Sequence, residues 1–204
     1  MNDARLIESH EIADWTWQRV MRAADDPADA MRLVTLATVT PEHRPSARMM
    51  VLRGAERGAA RIWFHTHAAD GKVADLSLNP AATVVAWDAE SQVQVRLSGY
   101  AGVHRLDQVA RMNFDQGSSL RARLAPVGDA GAQEPAAAEF EGRSAPDLLW
   151  PGASEELVHA LTHKAWRRFA VIELSIGIIE TIQSVRGGTR RFVLRASNDW
   201  QAAG

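Results

Sequence analysis

Three short stretches of this chain carry residue types that can do chemistry. The first is Ser46-Ala47-Arg48-Met49-Met50-Val51-Leu52-Arg53. Extended backbone sends alternate side chains to opposite faces, so Arg48, Met50 and Leu52 share one face while Met49, Val51 and Arg53 share the other. An arginine among apolar strand residues is costly to bury unless it meets an anion or a carboxylate. On an edge strand it would simply stand in solvent. The second stretch is His65-Thr66-His67-Ala68-Ala69-Asp70-Gly71-Lys72. A strand ends there, a small-residue loop follows, and a lysine falls in the first turn of a helix. Helix N-terminal amides attract anions, and the Thr66 hydroxyl with the Lys72 ammonium would complete a phosphate cradle. The Gly-x-x-x-x-Gly-Lys pattern is absent, and alone Lys72 reads as a surface lysine. In the third stretch, Ser91-Gln92-Val93-Gln94-Val95-Arg96, alternation places Gln92, Gln94 and Arg96 on one face. A glutamine amide offers both donor and acceptor to the edge of a heterocycle. On a solvent face the pattern means only a half-exposed strand.

Two histidine pairs invite a metal test. His65-x-His67 would converge from a strand, and His159-x-x-x-His163 would share a helix face. Neither has an acidic partner at a recognised ligand spacing, so both read as surface or hydrogen-bonding histidines with no metal. Gly-x-Ser-x-Gly and Gly-x-Gly-x-x-Gly are both missing.

The elements that must position these residues are short. Ala13, Trp17, Val20 and Ala24 recur at helical spacing until Asp25-Asp26-Pro27 ends the run. Arg32 to Val39 is β-branched and alternating, Thr40 to Pro45 is turn chemistry, and Ser46 to Arg53 returns, which is a hairpin signal. Further strands are expected at Arg61 to Thr66, Ala82 to Trp87 and Gln92 to Leu97, the last continuing towards His104. A short helix at Lys72 to Leu78 is stopped by Asn79-Pro80. Arg105 to Phe114 reads as a helix. Strands resume at Phe169 to Leu174, Ile178 to Ser184 and Thr189 to Arg195. Ala125 to Pro146, rich in Ala, Gly, Pro and Glu, reads as a mobile loop. The expectation is one α+β domain over 1–204, an antiparallel split β-barrel of five or six central strands with flanking helices, including an N-terminal helix within 1–30.

Composition sets the outer bounds. The 204 residues are 46% apolar and 24% charged with formal net charge −2. A folded chain without a global basic field for nucleic acid is expected. No run of about 18 apolar residues suggests a membrane span. With no cysteine, disulfides, thiolate chemistry and Cys-based zinc sites are excluded, and a cytoplasmic location is expected. Only Lys72 and Lys164 among the 23 basic residues are lysines.

As a series, these segments resemble the pyridoxamine 5'-phosphate oxidase-like flavoproteins, which use an FMN-binding split barrel. The resemblance runs from about residue 31 to 104. It rests on Arg48-Met49-Met50-Val51-Leu52-Arg53, His65-Thr66-His67, Asp70-Gly71-Lys72, Leu76-Ser77-Leu78-Asn79-Pro80, Trp87, and Gln94-Val95 with Gly99. Gly187 to Phe192 and Trp200 resemble the family's last hairpin more loosely. The resemblance implies that Arg48 and Lys72 clasp the FMN phosphate with help from Thr66. Met49, Met50, Val51 and Leu52 would run along the isoalloxazine and ribityl chain, with Arg53, His65 and Gly71 also around the cofactor. Gln94 would reach the flavin from the second subunit of a homodimer with FMN in its interface, and Arg191 matches a C-terminal flavin-contacting arginine. The chain departs from the family's vitamin-B6 oxidases in four places, one of them Arg111-Met112-Asn113-Phe114-Asp115-Gln116, where the Tyr and Arg that bind substrate phosphate are not evident. Gly187-Gly188-Thr189 stands where they carry the Arg-x-His that grips substrate, Arg53 replaces a lysine, and Gly71 replaces an arginine beside Lys72. The implied protein is a divergent, oxidase-related FMN oxidoreductase with a small-molecule substrate. A non-catalytic flavin- or haem-binding protein on the same barrel is the second reading, with His159 or His163 as axial ligand. A cofactor-free dimerisation module is the third, and it requires a carboxylate to face Arg48.

Overall fold

The computed structural model describes residues 6–116 and 155–201, with side chains at 6–115, 162–197 and 199–201. The chain order is α1 (Ile12–Asp25), a 3-10 turn (Ala30–Arg32), β1 (Leu33–Val39), β2 (Pro45–Glu56), β3 (Arg61–His67), α2 (Gly71–Leu78), β4 (Ala81–Asp88) and β5 (Val93–His104). After these come α3 (Gln108–Gln116), α4 (Glu155–Arg168), β6 (Phe169–Val185) and β7 (Gly188–Arg195). The strands lie in the order β3-β2-β1-β4-β5-β6-β7, and β3 also pairs with β6. Six strands therefore close a barrel, and β7 adds to it as a hairpin arm. This is the α+β split barrel expected.

Two compact units make up the described chain. The first draws on Met1–Phe64, Gly71–Val103 and Ile172–Gly204, the second on His65–Asp70 and His104–Val171. The first holds the barrel interior. Val34, Leu36, Met50, Leu52, Val84, Ala86, Val95 and Leu97 alternate with exposed or half-exposed residues along β1, β2, β4 and β5. That period of two is what a strand with one buried face requires. Trp17 from α1 packs there, edge-on to Trp200 at 5.8 Å between ring centroids. In the second unit Phe114 meets Trp166 and Phe169 at centroid distances of 5.3 and 5.4 Å.

Four elements differ from the sequence expectation. Phe169 to Leu174 and Ile178 to Ser184 form one strand of 17 residues, because Ser175-Ile176-Gly177 stays extended. Ile176 is buried and its N–H donates to Ala60 O at 2.8 Å, so the pairing continues through the stretch that reads as a break. Gln92 does not share a strand face with Gln94 and Arg96. It sits in the turn at φ +54° with its amide donating to Ala89 O at 2.7 Å, and β5 begins at Val93. The helix expected from Arg105 begins at Gln108, because Asp107 caps it by accepting from the Ala110 N–H at 2.8 Å. Helix α4 was not assigned from the sequence, beyond the condition that His159 and His163 share a helix face. The loop expected at 125–146 lies outside the described residues.

A charged cluster holds α1 and the 3-10 turn to the end of β4. Arg19 donates to both carboxylate oxygens of Asp29, at 2.6 and 2.9 Å, and through Nε to Asp88 at 2.9 Å. Both carboxylates are buried. Asp29 also accepts from the Met31 N–H at 2.9 Å. The Arg19 hydrogen bond, with that amide, holds the Asp29 pKa below its ordinary value. A carboxylate with a depressed folded-state pKa contributes stability that is present above its unfolded value and lost as pH falls through the folded one. Asp29→Ala, which leaves Arg19 short of a counter-charge, is expected to cost about 3 kcal/mol at neutral pH in urea unfolding. The gap between variant and wild type should narrow below about pH 4. An unchanged gap down to pH 3 would dismiss the linkage.

Gly99 on β5 is required by proximity to β6. A Cβ there would stand 1.8 Å from Ser175 O. Gly99→Ala should lower the unfolding midpoint by an amount equivalent to about 1–3 kcal/mol, the usual cost of overpacking. Wild-type stability in that variant would show that the two strands tolerate separation.

Candidate functional site

Arg48 lies on β2, between β1 and β3 rather than at a sheet edge. Its side chain is 22% exposed and turns to the inner side with Met50 and Leu52. One terminal nitrogen donates to Thr38 Oγ1 at 2.6 Å, Ser46 O at 3.2 Å and Leu36 O at 3.4 Å. The other donates to Ser46 Oγ at 2.7 Å and Asp75 Oδ2 at 3.3 Å. Thr38 completes a triangle by donating its own hydroxyl to Asp75 Oδ2 at 2.8 Å. The carboxylate that the cofactor-free reading required is therefore present, on α2.

Asp75 is three residues after Lys72 on α2, and residues three apart on a helix are surface neighbours. Arg48 thus meets α2 at the buried Asp75, a surface neighbour of Lys72 by spacing. Gly71 opens α2 and is exposed. The groups gathered at this part of α2 are the Arg48 guanidinium, whose terminal nitrogens donate to Leu36, Thr38, Ser46 and Asp75, the Lys72 ammonium and the first-turn amides of the helix. This set has the chemistry that a phosphate monoester takes, and Asp75 offsets part of its positive charge.

The second unit holds His65, Thr66 and Asp70. Thr66 is buried and donates its hydroxyl to Asp70 Oδ2 at 2.5 Å, so an anion recruiting that hydrogen must draw it from a carboxylate. His65 stands edge-on to Phe169 at 5.1 Å, and its Nε2 lies 3.0 Å from Asn113 Oδ1. Asn113 Nδ2 donates to Val109 O at 3.0 Å, which turns the amide oxygen towards the ring. Nε2 must therefore carry hydrogen, and Nδ1 is the proton-accepting nitrogen of the neutral imidazole. His67 Nδ1 accepts from the Ala69 N–H at 3.0 Å. His163 is exposed, and the side chain of His159 lies outside the described residues. Among the described residues no group of three His, Asp or Glu side chains could hold a metal ion, and no helix is long and apolar enough to cross a membrane.

The remaining candidates lie on the outer face of the sheet. Cross-strand register aligns Met49 with Thr35, Thr35 with Val85, and Val85 with Arg96. Neighbouring rows add Val51 opposite Leu33, Trp87 opposite Gln94, and Ala81 opposite Tyr100. Leu33, Met49, Trp87 and Tyr100 are among the most exposed large apolar side chains described, with Tyr100 at 70%. Beside them a groove of about 550 Å³ runs over Ala37, Thr83, Ser98, Gly99 and Gly177. Met50 and Leu52 point into the core instead, which leaves only their backbone for a ligand on the outer side. Arg53 occupies a β-bulge, since the register with β3 shifts between Leu52 and Gly54. Arg191 on β7 donates to Glu180 at 3.1 Å, and Arg96 reaches the same carboxylate oxygen at 3.4 Å. The Arg191 hydrogen bond holds the Glu180 pKa below its ordinary value.

Sequence reasoning missed Thr38, Asp75 and Asn113. For Asp75 a signal existed: a lone acid within Val73-Ala74-Asp75-Leu76, on the helix of the candidate lysine.

This geometry is that of a split-barrel protein whose wall carries Arg48 bonded to the helix that bears Lys72. Residues 14–105 match the family model described as pyridoxamine 5'-phosphate oxidase, FMN-binding domain. The pyridoxine/pyridoxamine 5'-phosphate oxidase of Nostoc punctiforme is 43% identical over 84 residues, which are 41% of this chain and 36% of that enzyme. The oxidase of Microcystis aeruginosa is 32% identical over 105 residues, 48% of this chain and 46% of its own. The match thus spans under half the length of these relatives. Two solved structures extend over nearly all of both chains. A pyridoxamine 5'-phosphate oxidase-related, FMN-binding protein from Nostoc punctiforme has TM-score 0.62 at 17% identity, covering 98% of this chain and 97% of that one. PhzG from Burkholderia lata, in complex with tetrahydrophenazine-1-carboxylic acid, has TM-score 0.65 at 16% identity, covering 99% and 98%. Over residues 14–105, then, this chain is similar to the pyridoxamine 5'-phosphate oxidase FMN-binding domain, and its fold is that of the split-barrel structures.

The histidine geometry is directly measurable. Nitrogen chemical shifts of His65 in the neutral state are expected to report hydrogen on Nε2, and Asn113→Leu should shift it towards a mixture of both tautomers. A wild-type spectrum with hydrogen on Nδ1 would refute the assignment.

Proposed function

We propose that this chain is an FMN-binding flavoprotein, an oxidoreductase that works as a homodimer with the cofactor at the interface. The observation that carries the reading is Arg48 bonded onto the face of α2 that also bears Lys72, inside the segment matching an FMN-binding family model. Arg48 and Lys72 would hold the phosphate, with first-turn amides of α2 beside them. The backbone of Met49 to Leu52 would flank the ring. Gln94 and Arg191 would come from the second copy, where the outer apolar face bearing Leu33, Met49, Trp87 and Tyr100 supports association. When bound, the flavin supplies the hydride-accepting centre, while the protein supplies position and electrostatics.

The missing Arg-x-His favours a substrate other than the phosphorylated vitamers. The relatives' activity belongs to proteins this chain matches only in part.

Purified protein is expected to be yellow, or to take up FMN on titration. Lys72→Ala should weaken FMN by about ten- to hundredfold, the worth of one charge-assisted contact, with riboflavin binding little changed. Arg48→Ala with Lys72→Ala should abolish the colour. Colourless wild-type protein that ignores FMN would overturn the reading.

A further inference from the structure

Two arginines on the outer face of the sheet converge on one carboxylate and keep most of their donors unused. Gln94 and Arg96 alternate along β5 and turn the same way. Arg191 on β7 meets Arg96 at Glu180 of β6. Its Nε donates to Glu180 Oε1 at 3.1 Å, and one terminal nitrogen of Arg96 lies 3.4 and 3.5 Å from the two oxygens of that carboxylate. The Glu180 side chain is 13% exposed, whereas Arg96 and Arg191 are 43% and 63% exposed. Among the described residues, no hydrogen bond uses the two terminal nitrogens of Arg191, the Nε and second terminal nitrogen of Arg96, or the Gln94 amide.

A guanidinium presents its donors as a rigid planar fork. With Nε held by Glu180, the end of Arg191 formed by its two terminal nitrogens stays open to a second acceptor pair. No other carboxylate among the described residues pairs with either arginine, so two guanidiniums against Glu180 leave one positive charge. A carboxylate carries the single opposite charge and the planar pair of oxygens that such a fork takes bidentately. Trp87 stands directly opposite Gln94 in the β4–β5 register and is 45% exposed. Arg96 is therefore its diagonal neighbour on the same face, a spacing of about 7–8 Å. That span matches an acid whose ring lies on the indole while its carboxylate meets the guanidiniums.

We propose that Arg96 and Arg191, ordered by Glu180, bind the carboxylate of an aromatic organic acid whose ring lies on Trp87. Glu180 is the positioning residue, holding Arg191 by Nε so that its open end faces the ligand. The proposal rests on the flavoprotein reading only in calling this acid the substrate, because that reading brings Arg191 to the cofactor. A network that merely ties β5, β6 and β7 together predicts no affinity for acids.

The test titrates the full-length protein with benzoate, neutral benzamide, acetate and inorganic phosphate, each followed by ligand-observed NMR. Benzoate should bind about tenfold tighter than benzamide, the worth of one charge-assisted contact, and tighter than phosphate. Arg191→Lys keeps the charge without the fork and should weaken benzoate about tenfold. Trp87→Ala should weaken benzoate about threefold and leave acetate unchanged. Equal binding of benzoate and benzamide, or wild-type benzoate affinity in Arg191→Lys, overturns the proposal. Phosphate bound more tightly than benzoate overturns the assignment to a carboxylate, and a Trp87→Ala variant with unchanged benzoate affinity overturns the seat of the ring. If Arg191→Lys does not fold, Arg96→Lys replaces it with the same expectation. Titration with FMN separates the two readings. Wild type that ignores FMN yet binds benzoate through Arg191 keeps this site and loses the flavin, and wild type that takes FMN without benzoate does the reverse.

Discussion

A guanidinium set into the wall of an apolar barrel must be matched on every side, and the arrangement around Arg48 follows from that need. Its acceptors come from three places: Leu36 and Thr38 on β1, Ser46 on its own strand, and Asp75 on α2. One side chain therefore ties two strands to the short helix that follows β3. Removing an ion pair of this kind from water gives back little net stability, and a well-packed apolar pair would often serve the fold as well. On the proposed reading the charge is retained for an anion it would receive, beyond what it holds together.

The period of two along β2 assigns the candidate residues to two different tasks. Arg48, Met50 and Leu52 turn inward, so the strand both builds the core and delivers a cation to one end of it. Met49 and Val51 turn outward, onto a face continued by Leu33, Val85, Trp87 and Tyr100 through cross-strand pairing. Nothing in the described chain covers Met49, Trp87 or Tyr100. Apolar side chains gathered on an exposed face are the feature on which the proposed association rests. On the proposed reading a ligand seated there would meet the backbone of β2 and the outward side chains, and its charged end would have to reach α2.

Much of this was legible in the sequence wherever one local rule sufficed. Alternation located β1 to β5, Asn79-Pro80 stopped α2, and the sidedness of Arg48 against Met49 followed from strand geometry alone. The failures arose where distant chain decides. Ser175-Ile176-Gly177 reads as a break, yet Ala60 O and the open side of Gly99 hold it in a single strand. Gln92 obeys the alternating pattern but spends its amide on a turn. Asp75 lies 27 residues from Arg48, a separation at which periodicity carries no information. The electrostatic requirement for a carboxylate could be derived, but its location could not.

The two cations are also chemically unequal, in a way that fits their positions. Arg48 has a planar fork that can satisfy Thr38, Ser46 and Asp75 together and still keep a defined orientation. A lysine ammonium at that place would offer three donors and no fixed plane, and could not hold the same set of acceptors. Lys72 is one of two lysines in a chain otherwise committed to arginine for its positive charge. Its compact charge on a flexible stem, in the first turn of α2, can follow an anion that the rigid guanidinium cannot. On the proposed reading, one oriented and one adaptable cation would together tolerate variation in the position of the anion.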